Sequence, residues 1–342
     1  MAEPASARLQ VAVEVAGIAA TPAAIEERAA ALLESLRRVV PFQAGWIALL
    51  DPERRRLVPL VSPGYDDTVR AYLTSPASVA EIELLGLDRA RPPMRLRDFP
   101  IPPDEVRGWA EYLRPAGFRE GLAVGLFAPD GRHLGHLSLN TESAAHPTDA
   151  ARDLIGVLAP LVAQAFDPLR SVATAAQLVH GALAGIVLTR AGHPLPLPGL
   201  GAHPLLGEDS ALLAVAAQLA DARAHTVFLC PQAGPDAAVG YLRVTVLACA
   251  SQPPHHLVAA VLVALPGDLH GLTRRELEVL GLLIEGWTNA RIAAALVIAP
   301  RTVATHMENI LAKLGAETRA LAAVRALGQG LYVPRPLTGV QG

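Results

Sequence analysis

The chain has 342 residues, of which 51% are hydrophobic, and its formal net charge is −3 at pH 7. That length is sufficient for two or three domains, each with its own core. Neither a secretory leader nor an uninterrupted apolar stretch of membrane-spanning length is recognisable, so we expect a cytoplasmic protein without membrane contact. The two cysteines, Cys230 and Cys249, form no Cys-x-x-Cys pair, which favours a reducing compartment without disulfides.

The lysine content excludes several classes of protein, because Lys313 is the only lysine of the chain. A P-loop requires a lysine after its glycines, a phosphoacceptor receiver domain relies on one, and a pyridoxal enzyme forms its Schiff base with one. None of these can occupy residues 1–312 in its usual form. A Gly-x-Ser-x-Gly elbow is also absent from the sequence. We therefore expect no enzymatic activity and no cofactor, and we interpret the residues before the C-terminal segment as a part that senses by binding.

Residues 21–166 predict a single α/β unit. In chain order the predicted elements are a helix at 22–39, a hairpin with strands 45–50 and 56–61, helical segments at 66–73 and 79–85, a second hairpin with strands 121–128 and 133–140, and a closing helix at 149–166. This order resembles that of a GAF-like sensory domain, to which we assign residues 20–168. The resemblance implies a small-molecule pocket between the sheet and its covering loops, with ligand contacts in the irregular stretch 84–118.

Aromatic side chains are the candidate ligand contacts of this unit, although each is individually more often a core or loop-packing residue. The candidates are Trp46, Tyr65, Tyr72, Phe99, Trp109, Tyr112 and Phe118. A metal site is not expected. His133 and His136 lie three apart on a predicted strand, which places them on opposite faces. The other histidines considered lie in or beside loops, where solvated or capping roles are the usual ones: His193, His203, His255 and His256.

Residues 171–266 predict a second, smaller α/β region. Its predicted elements are a helix at 171–181, a strand at 184–190, a loop rich in proline, glycine and leucine at 192–207, a helix containing Leu212, Val215 and Leu219, and strands at 226–230, 241–249 and 256–265. This order suits a small PAS-like domain. It equally suits an extension that packs against the first domain, because no unmistakable linker separates the two.

Residues 271–328 predict four short helices. Thr273 followed three residues later by Glu276 is a capping box that starts the first helix. Thr288 is the predicted N-cap of the second helix, and Pro300 suits the first turn of the third. The remaining boundaries are marked by Gly286, Gly315 and Thr318. Four short helices whose middle pair is joined by a tight turn describe a helix-turn-helix module.

The runs LTRRELEVL, GWTNARIAAAL and RTVATHMENILAKLGAETR resemble the C-terminal DNA-binding domain of LuxR-type transcription regulators, which we assign to residues 268–333. The resemblance implies that the helix 301–314 enters the major groove of double-stranded DNA. The residues then expected at or near DNA are Arg291, Arg301, Thr302, Ala304, Thr305, Glu308, Asn309 and Lys313. By the same resemblance, Leu321 and Val324 contribute to a dimer contact; the alternative is that both only complete the small core.

The expected DNA face is poor in positive charge. Ala299 stands where such domains usually carry a serine N-cap, and an alanine there costs the helix about 1 kcal/mol. Ala290 and Ala304 occupy positions that commonly hold basic residues, and the carboxylate of Glu308 would repel phosphates. The cationic candidates are Arg274, Arg275, Arg291, Arg301, Lys313 and Arg319. Because phosphate neutralisation supplies most non-specific affinity, we expect weak and salt-sensitive DNA binding.

Together these features predict an α+β multidomain transcription regulator with a GAF-like sensor, a middle α/β region and a C-terminal helix-turn-helix. The expected partners are double-stranded DNA, a second copy of the chain, a small-molecule ligand in the N-terminal domain and, if the protein activates transcription, RNA polymerase. Two other classes stay open. One is an interaction protein whose DNA-binding module has decayed, which the weakly charged helix favours. The other is a global DNA-binding protein without a ligand, against which the acidic body argues.

Overall fold

The computed structural model describes residues 5–232, 240–249 and 252–338, with side chains from Leu9 onward in the first helix. The chain divides principally at Pro168 into two compact units. Within the described residues, each unit contains one five-stranded antiparallel sheet. None of the described helices combines the length and hydrophobicity needed to cross a membrane. The expected mixed α and β architecture with a helical C-terminal segment is confirmed.

The first unit is a sheet covered on both faces, with strand order β2-β1-β5-β4-β3. Its elements are α1 (Ala5–Ala20), α2 (Ile25–Arg37), β1 (Ala44–Asp51), β2 (Arg56–Val61), α3 (Asp67–Leu73), α4 (Pro76–Leu84), β3 (Met94–Arg95), β4 (Glu120–Phe127), β5 (His133–Thr141) and α5 (Asp149–Phe166). The side chains of Ile47 and Leu49 pack with α1, α2 and α5 on one face. Those of Trp46 and Ala48 pack with α3, α4 and the irregular stretch on the other face, as strand alternation requires.

Local sequence signals explain most of these boundaries. At the β1–β2 turn, Asp51 Oδ1 accepts hydrogen bonds from the backbone N–H groups of Glu53 and Arg54, both at 3.1 Å, which is an Asx-type turn. The side chains of Asp66, Ser75 and Thr148 each accept from a backbone N–H in the first turn of α3, α4 and α5. Such N-caps satisfy N–H groups that have no partner within the helix. Both predicted hairpins and the closing helix are therefore present.

Three features of this unit differ from the sequence prediction. Helix α1 was not predicted, because alanine on all its sides gives no distinct apolar stripe; tertiary burial of Val11 and Val15 reveals its inner face. The irregular stretch 84–118 contains β3 and a π-helical turn at Gly108–Leu113. The predicted helix at 22–39 begins later, at Ile25, and ends at Arg37.

The expectation that His133 and His136 lie on opposite faces of their strand is wrong. Their ring centroids are 4.7 Å apart in an edge-on arrangement. The cause is a β-bulge: Leu126 pairs with Gly135 whereas Phe127 pairs with His133, so the intervening residue of β5 has no partner in the ladder. One extra residue reverses the alternation and turns the two histidines to the same side.

The second unit combines the second sheet, with strand order β7-β6-β10-β9-β8, and the C-terminal helices. Its elements are α6 (Pro168–Gln177), β6 (Ala182–Thr189), β7 (Pro194–Pro196), α7 (Ala211–Ala222), β8 (His225–Pro231), β9 (Tyr241–Ala248), β10 (Leu257–Ala264), α8 (Arg274–Ile284), α9 (Asn289–Leu296), α10 (Pro300–Leu314) and α11 (Arg319–Gln329). Helix α7 packs on β8, β9 and β10. The assignment of the middle region to a PAS-like class, and the division of the chain into three domains, stay predictions.

The caps of the C-terminal helices follow the sequence closely. Thr273 accepts from Glu276 N while its own N–H donates to Glu276 Oε2 at 2.7 Å, which completes the predicted capping box of α8. Thr288 and Thr318 cap α9 and α11 in the same way, by accepting from a backbone N–H. Ala299, as expected, provides no side-chain hydrogen bond at the start of α10. The four helix positions read from the sequence are therefore correct.

The segment after α11 fastens the helices to the second sheet. The N–H of Leu229 in β8 donates to the carbonyl oxygen of Tyr332 at 2.8 Å, and the N–H of Val333 donates to the carbonyl oxygen of Leu277 in α8 at 3.4 Å. The residues of this bridging segment, Leu331–Val333, are buried. Strands, α7 and C-terminal helices thus share one continuous hydrophobic core.

Gly281 is the position at which this packing can be tested. A Cβ atom added there would lie 2.1 Å from the carbonyl oxygen of Val333, so the backbone of the bridging segment must move away. We expect Gly281→Ala to destabilise the docked segment by about 1–3 kcal/mol through overpacking. Amide hydrogen exchange of Leu229, whose N–H is protected by Tyr332, measures this directly in the full chain.

Gly328→Ala is the matched control, since Gly328 lies in helix α11 with no atom within 4 Å of an added Cβ. At this position the glycine-to-alanine substitution should stabilise the helix by about 0.5–1 kcal/mol. Equal protection of Leu229 in the two variants would contradict the proposed packing of Val333 against α8.

Candidate functional site

Helix α10 presents one polar, exposed side and one buried, apolar side. The residues on the apolar side recur at helical spacing: Val303, Met307, Ile310 and Leu314. The opposite side carries the exposed residues Arg301, Thr302, Thr305, Glu308 and Asn309, together with the half-buried Ala304. Six of the eight residues predicted at DNA are therefore brought together on one helix face. A helix face of this width fits the major groove of B-form DNA.

Lys313 and Arg291, the other two predicted residues, have partners within the domain. Lys313 Nζ lies 2.7 Å from Glu276 Oε2, and the Glu276 side chain is buried. Burial alone would raise the pKa of Glu276, but hydrogen bonds from Lys313 and Thr273 hold it below its ordinary value. Arg291 is exposed, and its guanidinium carbon lies 3.8 Å from the centroid of the Trp287 ring, in cation–π contact.

The remaining cationic candidates are also engaged in the structure of the domain. Arg274 and Arg275 both pair with Glu278, at 3.2 and 2.7 Å. Arg275 additionally donates to the carbonyl oxygen of Leu296 at 2.8 Å, which satisfies an acceptor at the C-terminus of α9. Arg319 donates to the carbonyl oxygen of Trp287 at 2.7 Å. These arginines hold the four helices together, which reduces the charge that they can offer to phosphate.

Arg301 differs from these cations. It is exposed at the start of α10, and no ion pair joins its side chain to another residue in the described part of the chain. The hydrogen bond from Thr305 Oγ1, at 3.3 Å, goes to the backbone carbonyl oxygen of Arg301 and does not involve its guanidinium group. The first turn of α10 also lacks a side-chain cap at Ala299. An exposed guanidinium group and a helix N-terminus without a side-chain cap thus occur together, an arrangement suited to phosphate oxygens.

The two residues of α11 that are predicted at a dimer contact, Leu321 and Val324, differ in their burial. Ala322 and Ala326 are the residues of α11 that are buried in the core, whereas Leu321 is half-buried. Val324 is 66% exposed, so it does not complete the core of the domain. Leu321 and Leu327 are partly buried and pack against the core beside these two alanines.

The first unit contains a cavity of about 90 Å³ beneath the irregular stretch. Four of the seven candidate aromatics line it: Trp46, Tyr72, Phe99 and Trp109. Tyr112 stacks on Tyr72 with ring centroids 4.2 Å apart, and Tyr65, which meets Phe118 edge-on at 5.7 Å, donates a hydrogen bond to Asn140 of the lining. Sequence reasoning missed the polar residues of the lining on β5, which are His136, Ser138 and Asn140. Their spacing of two along one strand was a usable signal.

Two other sets of residues were considered in the sequence. Burial raises the pKa of the thiols of Cys230 and Cys249 to about 11, so both are protonated at neutral pH. Within the described residues, no group of three or more His, Cys, Asp or Glu side chains is placed to hold a metal ion. His203 Nδ1 accepts a hydrogen bond from Leu205 N at 3.2 Å, which is a capping role.

Residues 274–329 thus form four short helices arranged as a helix-turn-helix module in which the polar side of α10 is exposed. Comparison with known families agrees: residues 270–326 match the family of bacterial regulatory proteins described as the luxR family. This C-terminal segment is a LuxR-type domain.

Curated relatives match over the same segment. The transcriptional regulatory protein LiaR of Bacillus subtilis (strain 168) is 51% identical over 63 residues, which is 18% of this chain and 29% of that protein. The transcriptional regulatory protein DegU of Brevibacillus brevis is 45% identical over 62 residues, 18% of this chain and 26% of that protein. The chain thus spans little more than a quarter of the length of these relatives.

Among solved structures, the GAF domain of a phosphoenolpyruvate-protein phosphotransferase from Coxiella burnetii is similar to 52% of this chain. All of that structure is covered, with 18% sequence identity and a TM-score of 0.39. GAF domains are therefore among the structural neighbours of the chain.

The Glu276–Lys313 pair generates a prediction on stability. Lys313→Met leaves a buried carboxylate without its cation, and we expect a loss of about 1–3 kcal/mol. The folded-state pKa of Glu276 is lowered from 4.5, so its stabilisation is present above that value and is lost as the pH falls through the lowered pKa. In Lys313→Met the pKa of Glu276 is lowered less, so less stability is lost as the pH falls through this range. Hydrogen exchange of the α8 amides at several pH values measures both effects.

Arg301→Met is the matched control, because it also removes one positive charge from α10 but breaks no ion pair in the described structure. We expect its α8 amides to exchange like those of the unmodified chain. Equal exchange in both variants at every pH would show that the Glu276–Lys313 pair does not stabilise the domain.

Proposed function

We propose that this chain is a DNA-binding transcription regulator in which the N-terminal unit controls a C-terminal LuxR-type helix-turn-helix. The observation that carries the proposal is the exposed polar face of α10 on a domain of this family. In this proposal Arg301, Thr302 and Thr305 contact base edges and phosphates of the major groove. The complete capping of α8, α9 and α11 argues against a decayed module that acts only as an adaptor.

DNA binding in this proposal is weak and sensitive to salt. Lys313, Arg275 and Arg319 are engaged within the domain, and Glu308 is exposed on the DNA-facing side of α10. Few phosphates can then be neutralised by one copy of the domain, and each neutralised phosphate adds to affinity and to its salt dependence. A single domain is therefore insufficient for tight binding, and two copies acting together compensate for the small charge of each.

The dimer contact is assigned to α11, at Leu321 and Val324. Val324 is 66% exposed, so its side chain is accessible to a second copy of the chain. Two-fold pairing of α11 would set the distance between two α10 helices and hence the spacing of the DNA half-sites. A ligand in the N-terminal unit can control transcription only if it has different affinities for two states of the dimer. In one state the two α10 helices match the spacing of the DNA half-sites, and in the other they do not. RNA polymerase is then a partner if the regulator activates transcription.

The test of the whole proposal is selection of genomic DNA fragments by the full-length protein at physiological salt. Enrichment of a small number of sites that share a two-fold-related sequence is the expected result. Uniform retention of all fragments would indicate a global binder instead. An absence of enrichment from folded protein, unchanged by the more cationic variant described next, would overturn the assignment of DNA binding.

Glu308→Lys should raise DNA affinity and steepen its salt dependence by about one unit of slope, because one more phosphate is neutralised. Fluorescence anisotropy of a labelled duplex over a range of salt concentrations measures both quantities. Glu317→Lys is the matched control: Glu317 is exposed just before α11, away from the first turns of α10, and the charge change is the same. Equal effects of the two substitutions would mean that the α10 face does not contact DNA.

Val324→Glu should weaken the dimer at least tenfold, because a carboxylate would be buried at the proposed contact without a partner. Sedimentation velocity of the full chain measures the dimer dissociation constant. Val297→Glu is the control, since Val297 is 90% exposed at the end of α9, on another part of the domain. A dimer unchanged by Val324→Glu would exclude α11 as the contact. Val324 is preferred to Leu321 for this test because Leu321 is partly packed in the core.

A further inference from the structure

Strand β5 places a row of polar side chains inside the first unit. His136, Ser138 and Asn140 alternate with Leu137 and Leu139, whose side chains pack in the core on the other face of the sheet. Such alternation is normal when the polar face meets water. Here the face is covered instead, and His136 and Asn140 are only 2% and 4% exposed. Buried polar groups cost free energy unless they are hydrogen-bonded.

One of these groups has its partner within the protein and one does not. Tyr65 donates its hydroxyl hydrogen to Asn140 Oδ1 at 2.5 Å. His136 Nε2, by contrast, is buried without a hydrogen-bond partner in the described chain. Because native proteins rarely leave such an atom unsatisfied, it indicates a group that is supplied from outside the chain. His136 is among the residues that line the 90 Å³ cavity, and it also lines a neighbouring pocket together with His133.

The charge of the lining restricts the ligand. No arginine or lysine occurs among the lining residues, all of which are described, and the carboxyl group of Glu81 is the only acidic one. Glu81 is bonded to the chain, since both its carboxyl oxygens accept from Gly108 N, at 2.9 and 3.2 Å. Burial lowers the pKa of His136 well below its ordinary value, so this ring is uncharged at neutral pH. A phosphate or carboxylate would find no cation in this cavity.

The size and the walls restrict the ligand further. The rings of Trp46, Tyr72, Phe99 and Trp109 come from separate segments and face one space. Flat aromatic molecules pack well against such rings. An apolar cavity of about 150 Å³ is known to hold benzene, and a cavity of about 90 Å³ is therefore suited to no more than a single ring.

We propose that this cavity binds a small, uncharged, single-ring aromatic molecule carrying a hydroxyl group, which hydrogen-bonds to His136 Nε2. A hydroxyl group both donates and accepts, so it satisfies either neutral tautomer of the imidazole. The inference rests on the proposed function for its regulatory meaning, because the ligand would act there as the signal. Its chemistry is independent of DNA binding.

Matched probes test the proposal with the full-length protein. Phenol has the ring and the hydroxyl group, toluene has the ring alone, and benzoate replaces the hydroxyl group with a negative charge. Isothermal titration calorimetry should show phenol binding more tightly than toluene and no binding of benzoate. Tighter binding of benzoate than of phenol, or no binding of phenol, would overturn the proposed ligand class.

Variants of His136 show whether the affinity for phenol depends on a hydrogen bond to this residue. His136→Phe keeps a ring but removes the polar atom, so phenol affinity should fall at least tenfold while toluene still binds. His136→Gln retains a hydrogen-bonding group and should restore phenol binding to within a few-fold. His133→Phe is the control, because His133 lies beside His136 but outside the cavity lining. Unchanged phenol affinity in His136→Phe, or its loss in the Gln variant, would contradict the proposed contact.

The same samples distinguish an error in the proposed ligand from an error in the proposed function. DNA affinity is measured by anisotropy with and without phenol. Phenol binding that depends on His136 but leaves DNA affinity unchanged supports the site and contradicts ligand control of the DNA-binding domain. DNA binding without any phenol binding supports the regulator and overturns the ligand.

Discussion

The packing of Leu331–Val333 between β8 and α8 is the contact on which the architecture of the second unit depends. These buried residues join the helices to the strands from both sides, since Leu229 N donates to the Tyr332 carbonyl oxygen and Val333 N donates to the Leu277 carbonyl oxygen. A helix-turn-helix is often pictured as a module on a flexible tether. Here it shares one core with the preceding sheet, so a change in the sheet can shift the helices as a rigid group.

The use of charge within the helical domain follows from its small size. A four-helix domain with little apolar area needs polar contacts between its helices, and its cations provide them. Lys313 pairs with Glu276, and Arg275 pairs with Glu278. Arg275 and Arg319 also donate to the carbonyl oxygens of Leu296 and Trp287. Charges used in this way are less available to phosphate. The weak electrostatics of the proposed DNA face are therefore a consequence of how the domain is stabilised. In the proposed function, dimerisation through α11 would compensate for the small charge of each domain.

In the first unit, by contrast with the paired cations of the helical domain, one buried polar group lacks a hydrogen-bond partner within the described residues. His136 is buried without a partner at the edge of an aromatic cavity, although the same strand satisfies Asn140 through Tyr65. A buried polar atom without a hydrogen-bond partner reduces the stability of the unit until a ligand supplies one, and binding is then linked to that stability. A sensor of this kind responds to its ligand because the unliganded site is energetically incomplete.

The sequence by itself determined what depends on neighbouring residues. Caps at Thr273, Thr288 and Thr318 and the hairpin turns each involve residues within about four positions, so helix and strand boundaries were predictable and the LuxR-type motifs were recognisable. Only the tertiary structure decided which cations are occupied, because Lys313 meets Glu276 across 37 positions of chain. It also decided that one bulge brings His133 and His136 together and that the segment after α11 joins two elements. Such contacts depend on the register and packing of distant elements, which no local pattern specifies.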